Sequence, residues 1–305
     1  MLALFLTVFQ QVMILFIMIG IGFLFGRLHK ADMTGASQIT LFLLYVINPC
    51  CLLDAMVNGY KEGMLREFLL LIVMTLAIHF LFIALVQLFF RGRDKASAAV
   101  LRSAAIYGNM GFMGIPLIQM VLGDTAVAYL SIIIVTQNLL LWSHCAGTIS
   151  GQMNIRKVFI NPIVPCFLIG LLLIVTGWQL PWPIMRTVTL LGNANSSMAM
   201  LVIGLQMAHV PIQGMFRNSD YLLVTFLKLL GTPLLALVLL MPFHLSPLIV
   251  STFVIAFSTP MAGTVSMFAQ NYGNGVEKTS QLAFLTMLFS ILTMPVIGTL
   301  VQLLP

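Results

Sequence analysis

AAIYGNMGFMGIPLIQMVLG, residues 104–123, is apolar enough to lie in a bilayer, yet it carries Gly108, Asn109, Gly111, Gly114 and Pro116 where a spanning helix would hold Leu or Val. Proline lacks a backbone donor and clashes with the turn before it, and glycine lowers helix propensity. A helix interrupted at membrane depth frees backbone groups that lipid cannot satisfy. Such a break persists only where protein buries it or a watery cavity meets it, so this stretch is expected to be a transport site.

The rest of the chain supplies the membrane context. Of 305 residues, 60% are hydrophobic and 7% charged, and the mean hydropathy is +1.08. These values describe a polytopic membrane protein. The net charge of +6 then belongs to loops and gives no reason to expect a nucleic acid partner. No charge precedes the first apolar run and no small-x-small cleavage site follows it, so it reads as a first span rather than a signal peptide. Cys50, Cys51, Cys145 and Cys166 sit within apolar runs, without CxxC spacing, as small buried hydrophobes. With no ATP motif, metal cluster or nucleophile triad, neither an enzyme nor a bound cofactor or metal is expected.

Windows of about 20 apolar residues give an all-α chain with ten spans, at 2–26, 34–58, 67–90, 97–122, 125–150, 159–179, 186–208, 220–242, 248–271 and 278–303. Loops after the odd-numbered spans hold Arg27, Lys30, Arg91, Arg93, Lys95, Arg156, Lys157, Arg217 and Lys278, against Lys61, Arg66 and Arg186 on the other side. By the positive-inside rule both termini face outward, in a cell inner membrane. Gly123-Asp124 after span 4 and Gly273-Asn274 after span 9 lie 150 residues apart, and that offset sets a second break, Ser258-Thr259-Pro260-Met261-Ala262-Gly263, beside the first. Residues 1–150 and 151–305 therefore read as two five-helix repeats. With an odd number of spans each, the second repeat lies inverted on the first. Matched broken helices in inverted halves point to a midplane binding site.

At these residues the chain resembles the auxin efflux carrier family, which includes plant auxin exporters and bacterial carboxylate permeases. The likeness runs nearly end to end: Asn109, Gly111, Gly114 and Pro116 in span 4, the small-residue run 193–200 in span 7, Lys228 before Pro233 in span 8, the proline-centred break of span 9, and Asn48-Pro49 in span 2. The resemblance implies spans 4 and 9 crossing as broken helices in a transport domain, a second domain as scaffold, and elevator-like alternating access. The plant members' long central loop is absent. Gln137 resembles a site glutamine of those members.

Two half-helix N-termini favour an anion, and no Asp or Glu stands near Asn109 or Thr259 to hold a cation. Asn109, Gly111, Pro116, Gln137, Asn138, Asn48, Asn193, Asn195, Ser258, Thr259, Pro260 and Lys228 are the candidate substrate-binding residues. Lys228 can instead act as a counter-charge on carbonyls at a half-helix C-terminus, and Asn and Gln within spans often bond only a neighbouring helix. His79 and His144 are the only histidines well inside spans, and Asp54 is the one acidic residue expected within a span. The substrate is expected to be a small mono- or dicarboxylate, malate- or malonate-like, or an auxin-like acid. Sodium-coupled uptake and a membrane sensor that does not transport are the alternatives. Gly20, Gly22 and Gly26 in span 1 suggest close helix packing or a surface for a homodimer.

Overall fold

The computed structural model describes residues 2–28, 33–152 and 162–303. Lys30, Arg156 and Lys157, and the link between the halves beyond Gln152, lie outside the described residues. The described chain is helical, and its one isolated β pairing is a bridge between Gly108 and Met261.

Seven helices are long and apolar enough to cross a membrane. In chain order they are α1 (Leu2–Arg27), α2 (Thr34–Gly59), α3 (Met64–Phe89), α6 (Asp124–Ser150), α8 (Trp182–Met207), α9 (Ser219–Phe243) and α12 (Val276–Gln302). Between them lie α4 (Lys95–Ile106), α5 (Met110–Leu122), α7 (Ile163–Thr176) and α10 (Pro247–Phe257), and α11 (Gly263–Tyr272). At 1.5 Å per residue a 26-residue helix reaches about 39 Å, more than the hydrocarbon core. The 12 residues of α4 reach only about 18 Å. Four of these five short helices come in end-to-end pairs, α4 with α5 and α10 with α11, each pair supplying one span's length, while the 14-residue α7 stands alone. α2 and α8 both run 26 residues, and α6 and α12 both run 27.

Local chemistry sets the ends. Asp94 accepts from Ser97 N–H at 2.8 Å to start α4, and the Asn109 side chain does the same for Phe112 at the start of α5. Gly123 (φ 82°) and Gly273 (φ 65°) end α5 and α11 in backbone conformations that glycine adopts without strain. Pro49, Pro116 and Pro233 each follow a five-residue π turn, at Leu43–Ile47, Met110–Gly114 and Leu227–Gly231. The wide turn absorbs the ring that a tight α turn would reject. Pro116 therefore lies inside α5, and the chain breaks earlier, at Tyr107–Asn109. Pro260, by contrast, sits in the second break itself.

α1 packs on α8 so closely that a Cβ on Gly22 would strike Leu201 O and one on Gly204 would strike Ile19 O. Gly26 faces Ala208 in the same seam, whereas Gly20 points at open space. Side chains such as Leu69, Val73, Phe80, Leu172, Val238 and Leu292 project from the outside of the bundle, as a lipid-facing surface requires. The connections after α3 and α8 meet at one end, where Arg93 pairs with Asp220 at 2.8 Å. Lys278 donates to Ser97 at 2.8 Å and Asn274 to Ile149 O at 3.1 Å at that same end.

Candidate functional site

The two breaks meet. Tyr107-Gly108-Asn109 runs antiparallel to Pro260-Met261-Ala262, with Asn109 N–H donating to Pro260 O at 2.7 Å and Ala262 N–H to Tyr107 O at 2.9 Å. Main chain thus satisfies main chain at the depth where lipid could not. Gly108 is further held by Gln137, whose Nε2 donates to Gly108 O at 2.8 Å and whose Oε1 accepts from Gly108 N–H at 3.2 Å. A side chain at Gly108 would come within 2.6 Å of Thr259 Oγ1 and 2.9 Å of Lys228 Nζ, so the approach requires glycine.

On one side of this seam lies a small cavity of about 40 Å³. Asn48, Asn109, Gly111, Gln137 and Asn138 line it, with Ala262, Gly263 and Thr264 opposite and Leu44, Ile134, Leu141 and Ile163 as apolar wall. The first amides of α5 and α11 border the space, and the first amides of a helix have no intrahelical acceptor. No lining residue carries a formal charge. Asn48 is 3% exposed and its Oδ1 has no hydrogen-bond partner. Asn138 Nδ2 donates to Ile134 O at 2.8 Å.

The other candidates fall elsewhere. Lys228, fully buried, donates to Phe257 O at 3.2 Å; it does not itself line the cavity but lies directly behind Gly108, which does. It serves the carbonyl end of α10, where a cation complements the helix dipole. Ser258 and Thr259 turn their hydroxyls to Ile255 O at 2.8 Å and Ala256 O at 2.7 Å, closing that same end. Pro260 lends its carbonyl to the seam, and Pro116 is buried within α5, outside the lining. Asn195 is fully buried on α8 with neither amide atom paired, while Asn193, two residues earlier, is exposed; neither lines the cavity. The cavity thus gathers Asn48, Asn109, Gly111, Gln137 and Asn138, and leaves Asn193, Asn195, Lys228, Pro116 and Ser258–Pro260 outside. Sequence reasoning missed Gly263 and Thr264 as lining residues. Their signal was the small pair Ala262-Gly263 after Pro260, which marks a helix restart.

Around the crossing, Tyr107 Oη lies 2.9 Å from His144 Nδ1, and the His79 ring packs at a tilt against Tyr107 and Phe257, its centroid 5.8 Å and 5.3 Å from theirs. Asp54 sits on α2, accepting from Thr189 and, at 3.0 Å, from Asn58.

An apolar helical bundle with a polar break buried in its middle is the architecture of a membrane transporter. The family model described as "Membrane transport protein" matches residues 7–153 and again 148–298, and the chain belongs to that family, the auxin efflux carrier group. It is thus a transport protein rather than an enzyme. It is also similar to a Rhizobium meliloti (strain 1021) protein named "Putative malonate transporter", 24% identical over 289 residues, 90% of each chain.

Proposed function

We propose that the protein is a secondary carrier of small organic anions, moving carboxylates across the inner membrane by alternating access. Ten spans form two inverted five-helix repeats, residues 1–150 and 151–305, with α4–α5 and α10–α11 as the crossing spans. α1, α2, α7 and α8 act as scaffold, on which a second copy of the chain docks to make a homodimer. The remaining helices carry the site past that scaffold in an elevator stroke. Both termini face outward, the orientation that the basic loops favour. The observation that carries the reading is the cavity itself, an uncharged, amide-lined space facing the N-terminal ends of α5 and α11. Such ends attract negative charge, and no lining carboxylate competes for it. The malonate named for the 24% identical relative fits that chemistry.

The test is counterflow in proteoliposomes. Labelled malonate should exchange saturably without sodium. A strict sodium requirement would replace this reading with a cation-coupled symporter, and binding without flux would replace it with a sensor. Asn109→Asp sharpens the result. The carboxylate can still cap α5 through Phe112 N–H, so folding is kept, but it sets a negative charge where the substrate's must go. Flux should drop by at least about tenfold, since one such factor needs only 1.4 kcal/mol of repulsion in a buried site.

A further inference from the structure

Four titratable side chains surround the seam without lining the cavity: His79 on α3, Tyr107 at the first break, His144 on α6 and Lys228 on α9. His79 is sealed, its Nδ1 donating to Thr75 O at 2.7 Å and its ring closed in by Tyr107 and Phe257. Lys228 is fully buried, with its ammonium on Phe257 O directly behind Gly108. His144 alone of the four keeps part of its surface exposed. It stands on a π turn, Leu141–Cys145, whose first residue lines the cavity. Turns of this kind recur at functional sites.

Tyr107 Oη lies 2.9 Å from His144 Nδ1 and 3.2 Å from Leu140 O. A phenol has one proton to give and can also accept one. One assignment serves both contacts: the hydroxyl donates to Leu140 O and accepts from His144 Nδ1–H. The neutral imidazole then carries its lone pair on Nε2. A proton taken there breaks no hydrogen bond and makes the bond to Tyr107 charge-assisted, roughly twice as strong. Tyr107 belongs to the seam, since its carbonyl accepts from Ala262 N–H at 2.9 Å, and its neighbour Gly108 lines the cavity. The charge on His144 is therefore joined to the cavity by way of the break itself. Histidine's ordinary ionisation falls between about pH 5 and 8. Tyr107, His79 and Lys228 face this ring from the neighbouring elements, and Cys145 shares its turn. α4 and α11 carry no Asp or Glu, and α6 has none after Asp124. The negative charge that an imidazolium here would meet is the substrate's own.

Resting on the carrier reading above, we propose that His144 is the carrier's proton-binding site, and that a proton on its Nε2 and the organic anion bind together and cross together. The proton rides on the protein, and Tyr107 passes its effect to the seam. Linkage makes the effect mutual: the proton raises affinity for the anion, and the anion raises affinity for the proton by the same factor.

The experiment places the full chain in proteoliposomes and measures labelled malonate with and without a pH gradient, acid outside. The wild type should accumulate malonate above the level reached without the gradient. His144→Gln keeps a donor for Tyr107 Oη but cannot take the proton, so it should exchange malonate yet lose the accumulation. Its KM should stay flat from about pH 6 to 8, where the wild-type KM rises at least about fivefold. Accumulation retained by this variant would overturn the proposal, because a proton carried on the substrate is indifferent to the substitution. Wild-type exchange with no response to the gradient would also overturn it and leave the carrier reading standing. Absence of any carboxylate flux would remove both. A second measurement needs no variant: malonate added to the wild-type chain in detergent, weakly buffered near about pH 7, should draw protons from solution. No proton uptake would overturn the proposal even if His144→Gln fails to fold.

Discussion

Gln137 shows why a polar letter inside an apolar span rewards attention. Its amide occupies both backbone groups of Gly108, so a residue facing the cavity also holds the seam. Gln137→Leu would leave that N–H and C=O buried without partners, at about 1–3 kcal/mol for each orphaned group. The expected result is a lower midpoint of thermal unfolding in detergent together with reduced flux; an unchanged midpoint would mean that the pair is dispensable. That Asn48, Asn109, Gln137 and Asn138 would come together around one cavity was legible because amides are rare in such helices and need a reason to be there. The amides of Gly263 and Thr264 were not, because a backbone donor has no letter of its own. Nor could sequence place Asn193 and Asn195. Two residues apart on a helix, they point roughly 200° from one another, and only the packing of α8 decides which is buried.

Among the elements, the seam between α1 and α8 makes the sharpest demand on residue size. Gly22 and Gly204 bring backbone against backbone, and neither carbonyl opposite can move aside as a flexible side chain would. Gly204→Val should force the helices apart, at about 1–3 kcal/mol or more. Gly20→Val, two residues before Gly22 on the far face of α1 and facing open space, should be tolerated. Thermal unfolding of the two variants side by side checks this, and equal midpoints would contradict the seam. The glycine spacing in span 1 had announced close packing, and the partner it meets is α8. The apolar helical character of the chain was readable because apolar run length is a one-dimensional signal, whereas only seven of the ten expected spans are single helices long enough to cross a membrane. The three π turns before Pro49, Pro116 and Pro233 were not readable, since proline says that a helix must yield without saying whether it breaks or widens. For that reason the first interruption falls at Tyr107–Asn109, upstream of Pro116.

At the scale of the whole molecule, an ion pair among the described residues joins its two halves at the basic end. Arg93 donates from Nε at 2.9 Å and from a terminal nitrogen at 2.8 Å to the two oxygens of Asp220, 127 residues away in sequence. The hydrogen bond and charge of Asp220 raise the Arg93 pKa above its ordinary value, so the pair keeps its cation at any physiological pH. Half of the arginine side chain is nevertheless exposed, and water and salt screen such pairs. Asp220→Asn should therefore leave the unfolding midpoint unchanged at physiological ionic strength, and a large fall would show that the pair holds the halves together. What joins them at the centre is of another kind. The strap between the two interrupted spans is tied peptide to peptide, by Asn109 N–H on Pro260 O and Ala262 N–H on Tyr107 O. Substitution cannot delete those knots, because every amino acid but proline supplies the same N–H and C=O. Evolution is thus free to rewrite the cavity wall at Leu44, Ile134 or Ile163 while the frame that holds the two breaks together stays tied.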